Sequence, residues 1–219
     1  MMSRWLMVMA AVFTLVSVSA LADIVFLDDF EGDALVDGGN PPGWTLFGTP
    51  MVDRGTYTTT SHSPSASVWV AVDWDSGGWG WGAVSSSNET RYNLVDDSGT
   101  LSVWMRATSD FTTASVALTL FDEDGTQWRT SDSELFTLTT TWTLYTTPLS
   151  NMVMETIGAT AGLNCTNITQ FGFLSYDNGQ TGPNLVNFDD FQATNAIPEP
   201  ATLAILVLGA GFLARRHKK

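Results

Sequence analysis

The sequence predicts an all-β fold, an antiparallel β-sandwich spanning residues 23–195 between an apolar leader and an apolar tail. Three observations carry this. No stretch of the body repeats its apolar residues every 3.6 positions. Many short runs alternate with period two, are rich in Val, Thr, Phe and Trp, and are set apart by Gly, Asp, Asn and Ser. No internal repeat is present, which argues against a solenoid or a propeller.

Taken in order, residues 24–31 (IVFLDDFE) read as a first strand and 67–74 (SVWVAVDW) as a second. In 100–107 (TLSVWMRA), Leu101, Val103 and Met105 alternate with Ser102, Trp104 and Arg106, so one face is apolar and the other polar. Residues 115–122 alternate Val116, Leu118 and Leu120, then meet Asp124-Gly125, a hairpin signal. Residues 134–138, 142–149, 168–176 and 184–194 complete the expected strands, with 150–167 read as a loop or a single helical turn. Strands at this spacing without intervening helices pack as two antiparallel layers.

The ends differ in kind from the body. Residues 1–22 carry one early charge, Arg4, then an apolar run and the small-residue pattern Ala20-Leu21-Ala22 before Asp23. This is the layout of a cleaved secretory signal peptide, which implies Sec export and signal peptidase. At the other end, 201–214 is apolar apart from Thr202 and spans about 21 Å as a helix, short of the roughly 20 residues a bilayer asks for. Pro198 and Pro200 bar a helix from continuing upstream, and Arg215 to Lys219 favour a cytoplasmic end. A single transmembrane helix over 201–214 is the expectation.

Pro198-Glu199-Pro200, a short apolar helix and an arginine-led basic terminus together resemble the PEP-CTERM sorting signal. That resemblance covers about the last 24 residues. It implies an exosortase as partner, Pro198, Glu199 and Pro200 as the motif it reads, and a bacterial host of the Gram-negative type. It further implies an inner-membrane intermediate on the way to the cell surface or extracellular matrix.

The chain has 23 acidic and nine basic residues, a net charge of −14. Between leader and tail the basic residues are Arg54, Arg91, Arg106 and Arg129 alone. So acidic a body repels nucleic acid and anionic lipid. Cys165 is the one cysteine, so no intrachain disulfide supports the fold.

The opening Asp-Asp-Phe-Glu-Gly (28–32), the Trp142–Leu149 stretch and the closing Phe-Asp-Asp-Phe (188–191) resemble the jelly-roll carbohydrate-binding modules, with a glucan-binding family nearest in layout. The resemblance implies a jelly-roll-like sandwich with polysaccharide as a partner. Aromatic faces stack on sugar rings while acids and amides orient the hydroxyls. Trp74, Trp79 and Trp81 lie in a Gly- and Asp-rich segment that could present flat rings, or could pack a core. Trp69 and Trp142 are expected in the core. Trp104 and Arg106 fall on the non-core face of their strand and Tyr176 on that of its own, so the three could line one concave face. The tyrosine ending residues 168–176 matches a position the family uses for stacking.

Asp28, Asp29 and Glu31 open the domain, and Asp189 and Asp190 lie in its last strand. First and last strands commonly pair in a sandwich, so these oxygens could converge on a structural Ca²⁺; the alternative is solvated edge carboxylates. Related jelly rolls hold calcium there, with Asp189 as the closing-strand match. The segment 122–134 fails as an EF-hand because Gly125 sits at the wrong offset. Catalysis finds no paired motif: His62 is the sole body histidine, and no nucleophile elbow or zinc-protease motif is present. A non-catalytic, glycan-associated surface protein is the expectation. The alternatives are a structural protein without a specific ligand and a glycan-active hydrolase.

Overall fold

The computed structural model describes residues 23–31, 37–57, 61–63, 66–77, 80–86, 91–94, 97–108, 115–155, 162–176, 179 and 181–195. The leader, the helix expected over 201–214, the Pro-Glu-Pro motif and Trp79 lie outside the described residues. No described helix is long and apolar enough to cross a membrane. Ile24–Asn195 forms one compact unit.

Twelve strands are described: β1 Asp23–Asp28, β2 Trp44–Gly48, β3 Met51–Tyr57, β4 Ser67–Asp73, β5 Gly80–Ser85, β6 Thr100–Ala107, β7 Ser115–Asp122, β8 Gln127–Thr130, β9 Thr143–Pro148, β10 Met152–Met154, β11 Ile168–Tyr176 and β12 Pro183–Asn195. They form two sheets. The front sheet runs β10-β8-β7-β11-β5-β2; the back sheet runs β3-β4-β12-β6-β9, with β1 also paired to β12. Every neighbouring pair with a described register is antiparallel. The first and last strands pair, as expected.

The inner faces follow the alternation. Leu101, Val103 and Met105 of β6, Val116, Leu118 and Leu120 of β7, and Phe171 and Phe173 of β11 are all fully buried in one core. A bulge in β12 between Asp189 and Gln192 breaks the period, so that Phe188 and Phe191 both turn inward. The extra residue there, Asp190, takes φ 48°, a left-handed conformation that most side chains avoid.

Three expectations change. Residues 134–138 form no strand: Asp132–Glu134 is a single 3₁₀ turn and Phe136 makes one isolated bridge to Val116. Trp69 alternates with the core valines 68, 70 and 72, so it is buried on the other face of β4, outside the core cluster. Trp142 precedes β9 and is partly exposed, where Arg106 rather than the core meets its ring.

Candidate functional site

The expected aromatic platform divides. Trp81 is fully buried and Trp74 nearly so, both within the core cluster. Trp81 packs edge-on against Phe173 at 5.4 Å, and no sugar could reach either ring. The glycines around them serve close packing: a Cβ on Gly80 would meet the Ser175 carbonyl oxygen at 2.0 Å. The local sequence could not distinguish a loop presenting rings from a strand burying them.

Trp104, Arg106 and Tyr176 do not share a sheet. Tyr176 ends β11 of the front sheet, whereas Trp104 and Arg106 lie on β6 of the back sheet. The three therefore cannot form one surface.

On the front sheet, the outer face has a floor of small side chains. Two adjacent rows cross β5, β11 and β7, one of Gly82, Leu174 and Ala117 and the other of Val84, Gly172 and Thr119. Val84 and Leu174 thus alternate with the small residues, Phe47 lies beside Gly82, and Tyr176 stands at the end of β11. A Cβ on Gly82 would meet Leu174 at 2.9 Å and Phe47 at 3.0 Å, so the glycine is what lets those side chains close over the floor. Arg129 of β8 lies 5.7 Å over the Tyr176 ring. It also binds Glu155 and, at 2.7 Å, Asp132. Burial opposes the charge on Arg129, but these two carboxylates outweigh it and raise its pKa. Burial likewise pushes the Tyr176 hydroxyl up to about 12, against the pull of Arg129. The phenol is therefore neutral at any physiological pH.

On the back sheet, the segment 61–63 folds over Trp104. The His62 ring stacks on the indole at 3.7 Å with 12° between planes, and its Nδ1 lies 2.8 Å from Asp190 Oδ2. His62 and Ser63 donate their backbone N–H groups to Asp189 Oδ2, each at 2.9 Å. His62 and Ser63 are partners that sequence reasoning missed, because no local pattern links residue 62 to residue 189.

The five expected calcium ligands separate into two groups. Glu31 and Asp189 come together through Ser63, whose hydroxyl lies 2.8 Å from Glu31 Oε1, 2.9 Å from Asp189 Oδ2 and 3.1 Å from Asp189 Oδ1. The Ala66 carbonyl stands 3.5 Å from the same hydroxyl. One hydroxyl proton faces several acceptors, an oxygen-rich arrangement of the kind a hard cation satisfies. Burial pushes the Asp189 carboxyl up to about 6, despite the Ser63 and His62 donors. The only two non-glycine residues with positive φ among those described, Phe30 and Asp190, adjoin these two carboxylates. The other three acids have separate tasks. Asp28 accepts the Trp44 indole N–H at 2.6 Å, Asp29 caps the Glu31 N–H at 3.1 Å, and Asp190 holds His62. Among the described residues no cluster of three or more His, Cys, Asp or Glu side chains is arranged for a metal. Any ion here would lean on Glu31, Asp189, the serine and carbonyl oxygens.

A cleft of about 490 Å³ lined by Leu149, Met152, Leu163 and the buried free Cys165 contains none of the expected site residues.

Residues 196–219 match the PEP-CTERM protein-sorting motif. No curated protein matches the chain. Among solved structures, the chain is similar to a family 11 carbohydrate-binding module from Clostridium thermocellum in complex with a β-1,3-1,4-mixed-linked tetrasaccharide. The TM-score is 0.56 at 17% identity, covering 83% of this chain and 100% of that one. A family 30 carbohydrate-binding module gives 0.54 at 17% identity, covering 83% and 91%. An exo-β-agarase gives 0.54 at 15% identity, with 83% of this chain on only 26% of that one. At these identities the likeness defines the fold: this is a β-sandwich of the carbohydrate-binding-module type. The chain ends in a PEP-CTERM sorting motif.

Proposed function

We propose that the chain is an exosortase-sorted, exported surface or matrix protein whose sandwich binds polysaccharide without cleaving it. The observation that carries the reading is the union of a PEP-CTERM motif with a carbohydrate-module sandwich. The front sheet adds a floor of small residues between partly exposed rings. A flat trough with a stacking ring at its side suits an extended glycan. Tyr176 is the stacking ring, and the clamped Arg129 holds it in place. Tyr176→Ala should weaken binding to a soluble mixed-linkage β-glucan about tenfold in affinity electrophoresis. Unchanged mobility would remove this face as the site.

The tail reading predicts that protein recovered from the native host's surface lacks the basic end. Glu199→Ala should leave it in the inner membrane. Intact mass with Lys219 retained on surface protein would contradict the reading.

Calcium is the structural ion this reading assigns to Glu31 and Asp189, assisted by the Ser63 hydroxyl and the Ala66 carbonyl. It would join the β1 end to β12 and neutralise two carboxylates in a chain of net charge −14.

A further inference from the structure

The outer face of the back sheet carries a second set of ligand-directed groups, on the opposite layer from the Tyr176 trough. Arg106 and Asn187 are cross-strand partners on β6 and β12, and Trp69 flanks Asn187 from β4. Arg106 Nε donates to Asn187 Oδ1 at 3.3 Å, and its guanidinium lies 5.5 Å from the centroid of Trp142. No carboxylate meets Arg106, so four of its five N–H donors are uncommitted among the described residues.

Asn187 sharpens this. The residue has no exposed surface, and its Nδ2 is buried without a hydrogen-bond partner among the described residues. Because Oδ1 must be the atom that accepts from Arg106, the amide cannot be flipped to relieve the orphan. That amide is closed to solvent and so beyond a ligand's reach; its part is to hold Arg106 through Oδ1 while the rest of the guanidinium stays uncommitted. The indole N–H groups of Trp104 and Trp142 make no hydrogen bond with described residues either. The guanidinium and the indole N–H groups are all donors. A sugar hydroxyl both gives and takes hydrogen bonds, whereas a carboxylate or sulfate only accepts. The complement to this patch is thus anionic, with Trp142 and the exposed Leu144 offering apolar surface for the ring that bears the charge.

The surrounding charge does not forbid this. Asp189 pairs with Trp104, one same-face row from Arg106, about 7 Å along the strand. Asp189 and Asp190 are engaged by Ser63 and His62.

We propose that Arg106, Trp104 and Trp142, with Asn187 positioning the guanidinium from beneath, form a second binding site, distinct from the front-sheet trough, that takes an anionic unit of an acidic polysaccharide. With both faces occupied, one molecule bridges two glycan chains.

The test uses the full-length protein in detergent, with affinity electrophoresis in gels holding polygalacturonate, its methyl ester, dextran sulfate or dextran. Wild type should be retarded at least tenfold more strongly by one of the charged polymers than by its neutral counterpart. Polygalacturonate identifies a carboxylate and dextran sulfate a sulfate. Arg106→Gln should abolish the difference, Arg106→Lys should keep only part of it, and Tyr176→Ala should leave it intact. Should Arg106→Gln fail to fold, Trp142→Ala, at the partly exposed rim, serves in its place. Equal retardation by charged and neutral polymers, or wild-type behaviour of a folded Arg106→Gln, overturns the site. Loss of mixed-linkage glucan binding in Tyr176→Ala bears only on the front sheet, so the two readings fail separately.

Discussion

The two sheets use the same residue types in opposite ways. On the front sheet, Arg129 is clamped by Glu155 and Asp132, and buried Asp122 accepts the Trp128 indole N–H at 3.1 Å and the Thr126 N–H at 3.1 Å. Those partners come mainly from one hairpin and its neighbouring strand, so the charge there is settled locally. On the back sheet, Arg106 meets an amide and a ring, while buried Asp189 is served by Ser63 and His62, more than a hundred residues away. An arginine balanced by acids pins structure. An arginine left with uncommitted donors in an acidic protein is available to a ligand, and composition alone cannot tell the two apart.

The sharpest check on the layering compares an inward tryptophan with an outward one. Trp81→Ala should cost about 3–5 kcal/mol by opening a cavity between the sheets. Trp104→Ala should cost only about 1 kcal/mol, the worth of its stack with His62. Similar melting temperatures for the two variants would break the assignment of inner and outer faces.

Next in size is the pH dependence of the back sheet. Asp189 is raised from 3.8 to about 6, chiefly by burial. A carboxylate with a raised folded-state pKa favours the native state fully below its unfolded pKa and loses that contribution as pH rises through about 6. In chelator, thermal stability should therefore fall between pH 4 and pH 7, by up to about 3 kcal/mol from this residue. Asp189→Asn should flatten that part of the profile. A slope unchanged in Asp189→Asn would assign it to other acids, Asp122 of the front sheet first among them, since burial raises that carboxyl too.

Calcium should reverse this trend, because the ion favours the ionised carboxylate. At a hundredfold excess over Kd it adds about 2.7 kcal/mol to stability at neutral pH. Differential scanning fluorimetry in calcium and in chelator at matched ionic strength reads this directly, with Asp189→Asn insensitive. Superimposable curves would leave Glu31 and Asp189 as a hydrogen-bonded pair around Ser63 and nothing more.

Much of this was legible in the chain itself, and each miss has a physical cause. Period-two alternation located β4, β6, β7, β9, β11 and β12, because residues two apart on a strand share a face whatever else surrounds them. It overlooked β2, β3, β5, β8 and β10, which are short or broken by glycine and draw their stability from neighbours rather than their own pattern. The tail motif needed no fold at all, since a sorting signal is read as a linear segment. The pairing of the first and last strands followed from the usual layout of a sandwich, but of the five acids expected to converge there only Glu31 and Asp189 are joined, through Ser63.

By itself, then, the sequence determined an all-β sandwich and an address at the C-terminus. Tertiary structure decided which tryptophans face inward, because Trp81 and Trp104 alternate equally well and only packing against the opposite sheet selects a face. It also decided that Tyr176 and Arg106 lie on different layers and that His62 covers Trp104. Strand order and the meeting of residues 62 and 189 are long-range contacts, for which no local periodicity carries a signal.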